Sequence, residues 1–582
     1  MRVAQLQKFF AATVEDSTAW QRYGWLALSL AFAALYGYLS LRQGFSNEYV
    51  VQDDARQQVF WMQRFLDPTL FPNDWIADYF QSISPAGVTA LYRLAAAVGL
   101  DPWTFNRFVP FGLGLLSAGY CYVLCLQLLP VPSAGFIASL LLSQNLWMQD
   151  TLISGTAKAF LHPFFLAFLV YLLRRSLWPC LGAIALLGTF YPAGALLAVA
   201  VLVLRLVKWS WPLKWRYLFV RDRAPYVFCG AGLVVAFAVL LPYAVGTSEF
   251  GPTVTLQMAR TMPEFGPSGR ARFFIDNGWD FWFNASRSGI RFAVALMPPL
   301  VYTGFLLSLL RLVRRWFPLA RHVTAEVVLL PQLVVASLGW FAIAHLRLFQ
   351  FHLPSRYTQH SLRIVMVLAA AIALTLLVDG LLRWGARLQS AFWVRVVALA
   401  GTAAIAFNLI FYPAKLDSFL WTGYSTGEVP QLYQFIAQQP KETLIASLAE
   451  EANNLPSFSQ RSILVGREYA IPYHVGYYRE IRQRTIDLIQ AQYSPDLLAL
   501  QDFIQTYQVD LWLLDRHALT IDYLEHNDWL HQYPEATSTA QRQLAQGKTP
   551  AINAFVDRCR VFNTDRLVLL DADCIAAAPT DN

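Results

Sequence analysis

The chain has 582 residues, of which 56% are hydrophobic and only 14% are charged. That composition excludes an ordinary soluble globular protein and is typical of a membrane protein with many spans. The net charge of +7 does not indicate nucleic-acid binding, because the basic residues cluster in short loops beside apolar segments.

Apolar segments of membrane-spanning length follow one another up to residue 411. They lie near 24–41, 107–129, 133–148, 151–173, 178–206, 225–246, 289–310, 325–345, 361–382 and 391–411. Most are long enough to cross roughly 30 Å of hydrocarbon. Residues 178–206 are too long for one span, and Tyr191-Pro192 interrupts them, so we expect two short helices that form a hairpin. The sequence thus predicts a polytopic α-helical membrane protein with about eleven transmembrane helices.

Basic residues beside these segments set the expected orientation. Arg174-Arg175 and the stretches 205–223, 311–316 and 383–387 are all placed in the cytoplasm by the positive-inside rule. The N-terminus is then cytoplasmic and the C-terminal region lies outside the cytoplasm. The outward loops are 42–106, 247–288 and 346–360.

The first outward loop, 42–106, is rich in both acidic and aromatic residues. Its acids include Asp53, Asp54, Asp67, Asp74 and Asp78. A loop in water does not need many aromatic residues, and a membrane-spanning segment would not tolerate so many acids. The composition indicates a loop at the water–lipid boundary, above a cavity that handles the polar group of a lipid.

The adjacent acids Asp53 and Asp54 have two interpretations. Apolar residues at helical spacing predict an amphipathic interfacial helix over 54–66, with Asp53 as its N-cap and Asp54 favouring the helix dipole. Alternatively, the pair supplies a general base, or a carboxylate that orients an acceptor hydroxyl at the membrane surface.

Asp74 and Asp78 are four residues apart and would share one face of a helix. Like charges at that spacing repel, and a metal or a basic partner would offset the repulsion. The simplest alternative is a solvated face. Both residues are therefore candidate acceptor or metal contacts.

The third outward loop is basic, although the positive-inside rule would keep basic residues in the cytoplasm. Arg347, Arg356, His360 and Arg363 are its candidate phosphate-binding residues, because guanidinium groups bind phosphate with bidentate geometry. They could instead contact lipid headgroups or the acidic first loop. Lys158, inside the fourth apolar segment, is a second candidate phosphate contact, or a residue that snorkels to the interface.

The region 415–582 is polar and alternates between strand-like and helix-like patterns. We expect it to form a small extracytoplasmic α/β domain, separate from a transmembrane domain over 1–414. Cys559 and Cys574 lie in this region, where either a disulfide or two separate buried thiols would fit. No glycine-rich phosphate loop, CxxC metal pattern or nucleophile elbow occurs there.

The acid pair after the first span, the basic outward loop, the number of spans and the outward C-terminal region together resemble the GT-C superfamily of membrane glycosyltransferases. This superfamily includes protein O-mannosyltransferases, aminoarabinose transferases and oligosaccharyltransferases. Asp53-Asp54 matches its acidic motif in the first external loop. No WWDYG-like motif follows, which argues against an oligosaccharyltransferase. The stretches LFPNDWIADYF and LPSRYTQHSLR also resemble a bacterial membrane-protein family.

The resemblance implies transfer of a sugar from a polyprenyl-phosphate-type lipid to an extracytoplasmic acceptor, with inversion at the anomeric carbon. It makes Asp53 the base, since this residue matches the first acid of the motif, and Asp54 a group that orients the acceptor or assists a metal. Arg356, with Arg347 or Arg363, would hold the donor phosphate. A divalent metal is compatible with this scheme, but no cofactor is fixed by it. Membrane lipids are expected partners, and protein partners are not indicated.

Two other classes stay open on the sequence alone. A lipid or polysaccharide transporter would need a polar path through the bilayer, for which Lys158 and His162 are few residues, and no paired half-sequence repeat is evident. A non-catalytic scaffold would use the first loop only for docking. Substitution of the acids separates the three classes, because only an enzyme would lose activity while keeping its fold.

Overall fold

The computed structural model describes residues 2–208, 220–246, 248–387 and 391–579. Up to residue 411 the described chain is mainly helical. Its α-helices there are α1 (Arg2–Ala11), α2 (Ala19–Gly44), α3 (Asp53–Gln58), α4 (Trp75–Ile83), α5 (Ala86–Ala97), α6 (Pro102–Leu128), α7 (Pro132–Trp147), α8 (Asp150–Ile153), α9 (Leu161–Leu173), α10 (Leu177–Phe190), α11 (Pro192–Leu204), α12 (Ala224–Val245), α13 (Leu256–Thr261), α14 (Phe292–Ala295), α15 (Leu307–Leu312), α16 (Leu329–Leu346), α17 (Ser355–Thr358), α18 (Ser361–Ala386) and α19 (Phe392–Phe411).

Several of these helices suit a bilayer. Six stretches in the described part of the chain are long and apolar enough to cross a membrane: Ala19–Gly44, Pro102–Leu128, Ala224–Val245, Ala325–Leu346, Ser355–Ala386 and Phe392–Phe411. Four shorter apolar stretches are Ala157–Leu173, Leu177–Phe190, Pro192–Leu204 and Pro299–Leu312. The protein is thus a helical membrane protein, and the count of about eleven spans stays a prediction.

Prolines divide two of the apolar segments. α10 ends at Phe190 and α11 begins at Pro192, with Tyr191 between them in an extended conformation (φ −149°, ψ 85°). The predicted break at Tyr191-Pro192 is therefore confirmed. The segment 289–310, predicted as one span, is instead broken into α14, a 3₁₀ turn and α15, because Pro298 and Pro299 have no N–H to continue a helix.

The helices differ in what surrounds them. Every residue of α7 is buried, and most of α18 is buried with it, so these two helices form the centre of the helical part. α12 and α19 instead leave large apolar side chains such as Phe237 and Trp393 exposed. Exposed apolar faces of this kind are what lipid contact requires.

A short two-stranded ribbon ties the first loop to the chain that follows the last helix of this part. β1 (Val50–Gln52) pairs antiparallel with β2 (Tyr424–Thr426). The N–H of Asp53 continues the pairing by donating to the carbonyl oxygen of Gly423 at 3.0 Å. The position of the acid pair is therefore fixed by residues about 370 positions later in the sequence.

After the ribbon, strands and helices alternate. β3 (Leu444–Ser447), β4 (Ser462–Ile463), β5 (Leu511–Asp515), β6 (Arg560–Asn563) and β7 (Leu567–Asp571) form a mixed sheet in the order β4-β3-β5-β7-β6. The helices are α20 (Pro430–Ala437), α21 (Leu455–Phe458), α22 (Val475–Tyr493), α23 (Leu497–Tyr507), α24 (Ile521–His526), α25 (Pro534–Ala545) and α26 (Ala572–Ala576). The disulfide Cys559–Cys574 is present in this region. A domain boundary between 414 and 415 stays a prediction.

The aromatic residues of the first loop pack inside the protein rather than at an interface. Tyr79 stacks on Tyr477 with ring centroids 3.6 Å apart, and Phe60 and Phe80 both meet the ring of Tyr469 edge to face. All five rings are buried. The aromatic content of this loop is therefore explained by its packing against the C-terminal region.

Candidate active site

Asp53 and Asp54 open α3, but neither is its N-cap. Gln52 holds that position, and its side-chain oxygen accepts a hydrogen bond from the N–H of Ala55 at 3.1 Å. The prediction that Asp53 caps this helix is wrong. Both aspartates nevertheless lie in the first turn, where the helix dipole favours negative charge.

The helix that follows the acids is shorter than predicted. α3 ends at Gln58, and a 3₁₀ helix covers Phe60–Phe65. Phe60, Trp61 and Met62 are buried, and the ring of Phe60 meets that of Tyr469 in the C-terminal region edge to face. The predicted amphipathic interfacial helix over 54–66 is therefore corrected to two buried turns, because tertiary packing covers the face that was expected to meet lipid.

Asp53 belongs to a network that joins three parts of the chain. Its carboxylate pairs with Arg56 at 2.8 Å, although its side chain is 56% exposed. Arg56 also meets Glu468 at 3.3 Å, and Glu468 pairs with Arg270 at 2.5 Å. Burial raises the pKa of Glu468, while Arg270 opposes and Asp53 adds to that shift. The network holds the first loop, the second loop and the C-terminal region in register.

Asp54 faces a different partner. Its carboxylate contacts the ammonium of Lys158, which also pairs with Asp150 at 2.7 Å. Lys158 lies on the 3₁₀ turn Ala157–Phe160, and its side chain is only 12% exposed. The two carboxylates thus share one ammonium. The expectation that Lys158 snorkels to the interface is wrong, and its role as a phosphate contact must compete with two carboxylates.

The pKa values of the two carboxylates that share this ammonium shift in opposite directions. Burial raises the pKa of Asp54, and negative Asp150 adds to the increase while Lys158 opposes it. Burial also acts on Asp150, but Lys158 outweighs it and lowers the pKa of Asp150 to about 2. The two carboxylates therefore titrate as a coupled pair, in which burial keeps the pKa of Asp54 above its usual value.

Two arginines, one of them fully buried, meet at the start of α18. Arg363 is 1% exposed, and its Nε donates to the carbonyl oxygen of Gln359 at 2.8 Å. The Nη1 of Arg291 donates to the side-chain oxygen of Gln359 at 3.2 Å. Gln359 therefore holds two guanidinium groups close together, and we use the word recess for the cluster that they form with Arg356, Lys158 and the two aspartates.

Buried polar atoms without a hydrogen-bond partner collect around these cations. Within the described part of the chain they include the hydroxyl of Tyr191, Nε of Arg291, Nδ1 of His360 and Nη1 of Arg363. The rings of His162 and His360 are 5.3 Å apart, and those of Tyr191 and His360 are 6.1 Å apart. Most buried polar groups in proteins are hydrogen-bonded, so a cluster of exceptions indicates a place for a polar ligand.

Asp150 connects the acidic and basic sides. Its carboxylate interacts electrostatically with Arg291, Arg356 and Arg363 as well as with Lys158. Arg356 is half-buried, and among the described residues its guanidinium has no partner at hydrogen-bond or ion-pair distance. The recess therefore holds more positive than negative charge, and the excess lies on the arginine side.

The remaining predicted residues lie elsewhere or have local partners. Asp74 is the N-cap of α4, where its carboxylate accepts from the N–H groups of Ile76 and Ala77. Asp78 pairs with Arg64 at 2.7 Å. Arg347 is exposed at the end of α16. Asp78 thus has a basic partner, which is one of the alternatives that the sequence left open, and Asp74 is a buried cap and not part of a solvated face. A role of either residue in binding an acceptor or a metal stays a prediction.

The described residues do not assemble an evident metal site. Within 2–208, 220–246, 248–387 and 391–579, no group of three or more His, Cys, Asp or Glu side chains comes together in a way that could hold a metal ion. Asp54 and Asp150 converge, but their shared cationic partner is Lys158. The side chains at this point therefore fit an ammonium rather than a bound divalent cation.

Sequence reasoning missed Asp150 and Arg291. Asp150 falls between two predicted spans, and an acid trapped between apolar segments is a signal that could have singled it out. Arg291 adopts a left-handed conformation (φ 62°) at the start of what was predicted to be a span. Its proximity to α18 depends on that local backbone, which the sequence pattern does not reveal.

Neither a protein-family model nor a curated protein sequence matches the chain. Solved structures do. The Archaeoglobus fulgidus oligosaccharyltransferase in its apo form aligns over 88% of this chain and 71% of its own, with 13% sequence identity and a TM-score of 0.51. AglB, the oligosaccharyltransferase from Archaeoglobus fulgidus, in complex with an inhibitory peptide and a dolichol-phosphate, aligns over 89% and 72%, with 13% identity and a TM-score of 0.50.

The arabinofuranosyltransferase AftD from mycobacteria aligns over 84% of this chain and 35% of its own, with 14% identity and a TM-score of 0.46. At such low identities the two Archaeoglobus fulgidus alignments, with TM-scores of 0.50 and 0.51, establish the fold alone. AglB is a GT-C glycosyltransferase. The resemblance stated from the sequence is therefore confirmed at the level of architecture, and the chain has a GT-C fold.

Proposed function

We propose that this chain is a membrane glycosyltransferase that moves a sugar from a polyprenyl-phosphate-type lipid to an acceptor on the extracytoplasmic side. The observation that carries the proposal is the group of buried, unpartnered polar atoms around Arg291, His360 and Arg363, beside the carboxylates of Asp54 and Asp150. An anion-binding recess next to a candidate base is what such a transfer requires.

The donor phosphate would bind among the arginines. Arg363 is buried and Arg356 is partly open, so a phosphate entering the recess would meet one fixed and one accessible guanidinium. Arginine binds phosphate with two parallel hydrogen bonds, which orients the ligand as well as attracting it. AglB, which has the same fold, has been solved with a dolichol-phosphate, a ligand of this chemical class.

The reaction would be a single displacement. The acceptor hydroxyl oxygen attacks the anomeric carbon, its proton passes to a carboxylate, and the bond between that carbon and the phosphate oxygen breaks. The phosphate leaves with the electron pair as an anion that the arginines stabilise. The configuration at the anomeric carbon is inverted.

The contacts favour Asp54 over Asp53 as the base. Asp54 contacts Lys158, and so lies on the same side as Asp150 and the arginines, whereas Asp53 pairs with Arg56 and is more than half exposed. In this revised scheme Asp54 accepts the proton, and Asp53 stabilises the first turn of α3 through Arg56. The family resemblance instead implies that Asp53 is the base, and the same experiment decides between the two residues.

The experiment is transfer of radiolabelled sugar from polyprenyl-linked donors to acceptors in proteoliposomes containing the purified chain. Asp54→Asn should lower transfer by about 10²-fold or more and leave donor binding, and Asp53→Asn should lower it by less than roughly tenfold. Arg356→Ala should mainly weaken donor binding. Wild-type transfer that none of these substitutions changes would contradict the proposal. Movement of the donor lipid across the bilayer, without transfer of its sugar to any acceptor, would instead indicate a transporter.

Orientation is tested separately by labelling. Asp222 and Glu442 are both exposed, and we propose that they lie on the cytoplasmic and extracytoplasmic sides. A cysteine at 222 should react with a membrane-impermeant maleimide only from the cytoplasm, and one at 442 only from outside. The wild-type chain is the control, because Cys121, Cys125, Cys180 and Cys229 are buried. The reverse labelling would place the recess on the cytoplasmic side.

A further inference from the structure

Lys158 lies where a divalent cation would be expected between two carboxylates. Asp54 reaches its ammonium from α3, and Asp150 reaches it at 2.7 Å from α8. We infer that Lys158 supplies the permanent positive charge of this site, so that the acidic pair works with an ammonium in place of a bound metal ion.

The geometry supports an ammonium in the place of a metal ion. A Mg²⁺ ion needs close oxygen ligands at about 2.0–2.1 Å in near-octahedral arrangement. The position from which Asp54 and Asp150 could both bind it is taken by Lys158, whose side chain is 12% exposed. Two carboxylates brought together would repel one another, and the shared ammonium offsets that repulsion.

The surrounding charges agree with a fixed role for the lysine. A buried ammonium is stabilised only when it is paired, and Lys158 has two acidic partners. Counting Arg356, which interacts with Asp150, two acids are balanced by two cations. Two positive charges are then left over, and the guanidinium groups of Arg291, Arg356 and Arg363 together present them to an incoming anion. A divalent metal bound at Asp54 and Asp150 would lie beside Lys158 and Arg356, and these two cations would repel it.

Binding of Mn²⁺ tests the inference without any assay of activity. Electron paramagnetic resonance of the purified full chain should show no Mn²⁺ held at this site in the wild type. Lys158→Met keeps the length of the side chain and removes its charge, so the freed carboxylates should bind Mn²⁺ at least about tenfold more tightly than the wild type does. The double variant Lys158→Met with Asp150→Asn should lose that binding.

The matched control is Lys441→Met. Lys441 also pairs with an aspartate, Asp67, at 2.5 Å, but on the surface and with a single carboxylate. It should gain no Mn²⁺ site. A wild-type Mn²⁺ signal that Asp150→Asn abolishes would overturn the inference. So would a folded Lys158→Met chain that binds no Mn²⁺.

A second measurement keeps the inference decidable if Lys158→Met does not fold. It rests on the proposed function: wild-type sugar transfer should be unchanged, within about twofold, by excess EDTA, because the charge is covalently attached. Transfer lost in EDTA and restored by Mg²⁺ or Mn²⁺ would overturn the inference. If the chain transfers no sugar at all, the proposed function fails, and wild-type Mn²⁺ binding still decides the role of Lys158.

Discussion

The two sides of the recess are built in opposite ways. On the acidic side, Asp54 and Asp150 are both paired, through Lys158, before any ligand arrives. On the basic side, Arg363 is buried with one nitrogen unpartnered, and Arg356 has no ion-pair partner among the described residues. The acidic groups thus have their counter-charge within the protein, whereas the basic groups do not have theirs among the described residues.

This difference separates preparation from binding. A paired carboxylate is held in one orientation, which suits a group that must accept a proton at a fixed place. An unpaired buried guanidinium is costly in the ligand-free protein, and that cost is removed when an anion binds. The comparison predicts that substitutions on the acidic side change the rate of reaction and those on the basic side change the binding of donor.

The largest effect is expected for Asp54→Asn. Loss of a general base should lower the rate of transfer at saturating donor by about 10²-fold or more, with little change in the KM for donor. Asp53→Asn should lower it by less than roughly tenfold, since Asp53 acts through Arg56. Steady-state kinetics in proteoliposomes measures both. A larger loss in Asp53→Asn than in Asp54→Asn would return the base to Asp53.

The next effect is expected for Arg356→Ala. A charge-assisted hydrogen bond to phosphate contributes about 1.5–3 kcal/mol, so the KM for donor should rise by roughly ten- to a hundredfold. Arg347→Ala is the control from the same loop, and because Arg347 is exposed at the end of α16 its KM should be unchanged. Equal effects of the two substitutions would show that the loop acts only through its total charge.

A smaller effect is expected on stability. Arg363 is buried and has no ion-pair partner among the described residues, so replacing it with methionine removes the desolvation cost of its charge and should stabilise the ligand-free protein by about 1–4 kcal/mol. The same variant should no longer be stabilised by polyprenyl phosphate. Thermal unfolding in detergent, with and without that lipid, measures both. A ligand-free Arg363→Met chain less stable than the wild type would show that the guanidinium is already satisfied.

The smallest effect is a shift in pH dependence. Burial raises the pKa of Asp54, so its basic form is lost at a higher pH than that of an exposed aspartate. Transfer should fall as the pH decreases through that raised pKa. Because the pKa of Asp54 is higher in the folded than in the unfolded chain, its ionisation lowers the free energy of unfolding as the pH rises through the folded-state pKa. Asp54→Asn removes this ionisation, so the variant should remain folded.

The control for the pH profile is Glu468→Gln. Burial raises the pKa of Glu468 as well, but this residue lies in the network around Arg56 and Arg270. Its substitution should leave the acidic limb of the profile in place. Disappearance of that limb in Glu468→Gln would assign the titration to the network instead of to Asp54.

The sequence predicted the helical membrane class, the break at Tyr191-Pro192 and the resemblance that the solved structures confirm as a fold. These depend on local composition and on the missing N–H of proline, which the sequence shows directly. It also named Asp54 through that resemblance, and Arg356, His360 and Arg363 because a basic outward loop departs from the positive-inside rule; their roles in a site stay predictions.

What the sequence could not show depends on contacts between distant residues. The span 54–66 has helical apolar spacing, but its apolar face is covered by residues such as Tyr469 that no local pattern reveals. The sequence suggests Lys158 as a phosphate contact, since it shows no partner for this lysine. Asp54 and Asp150 meet Lys158 only when α3 and α8 come together in the fold. Charge alone did not tell which cations would be paired.

The β1–β2 ribbon has a consequence for synthesis of the chain. Asp53 is anchored to Gly423, so the acid pair cannot take its final position until the ribosome has made about 370 further residues. At ~5–20 residues per second this delay is roughly 20–70 s. Throughout that time the nascent chain already shares the membrane with lipids that carry phosphate. A partly made protein therefore holds an unassembled site, and truncation before Tyr424 should yield inserted helices without activity.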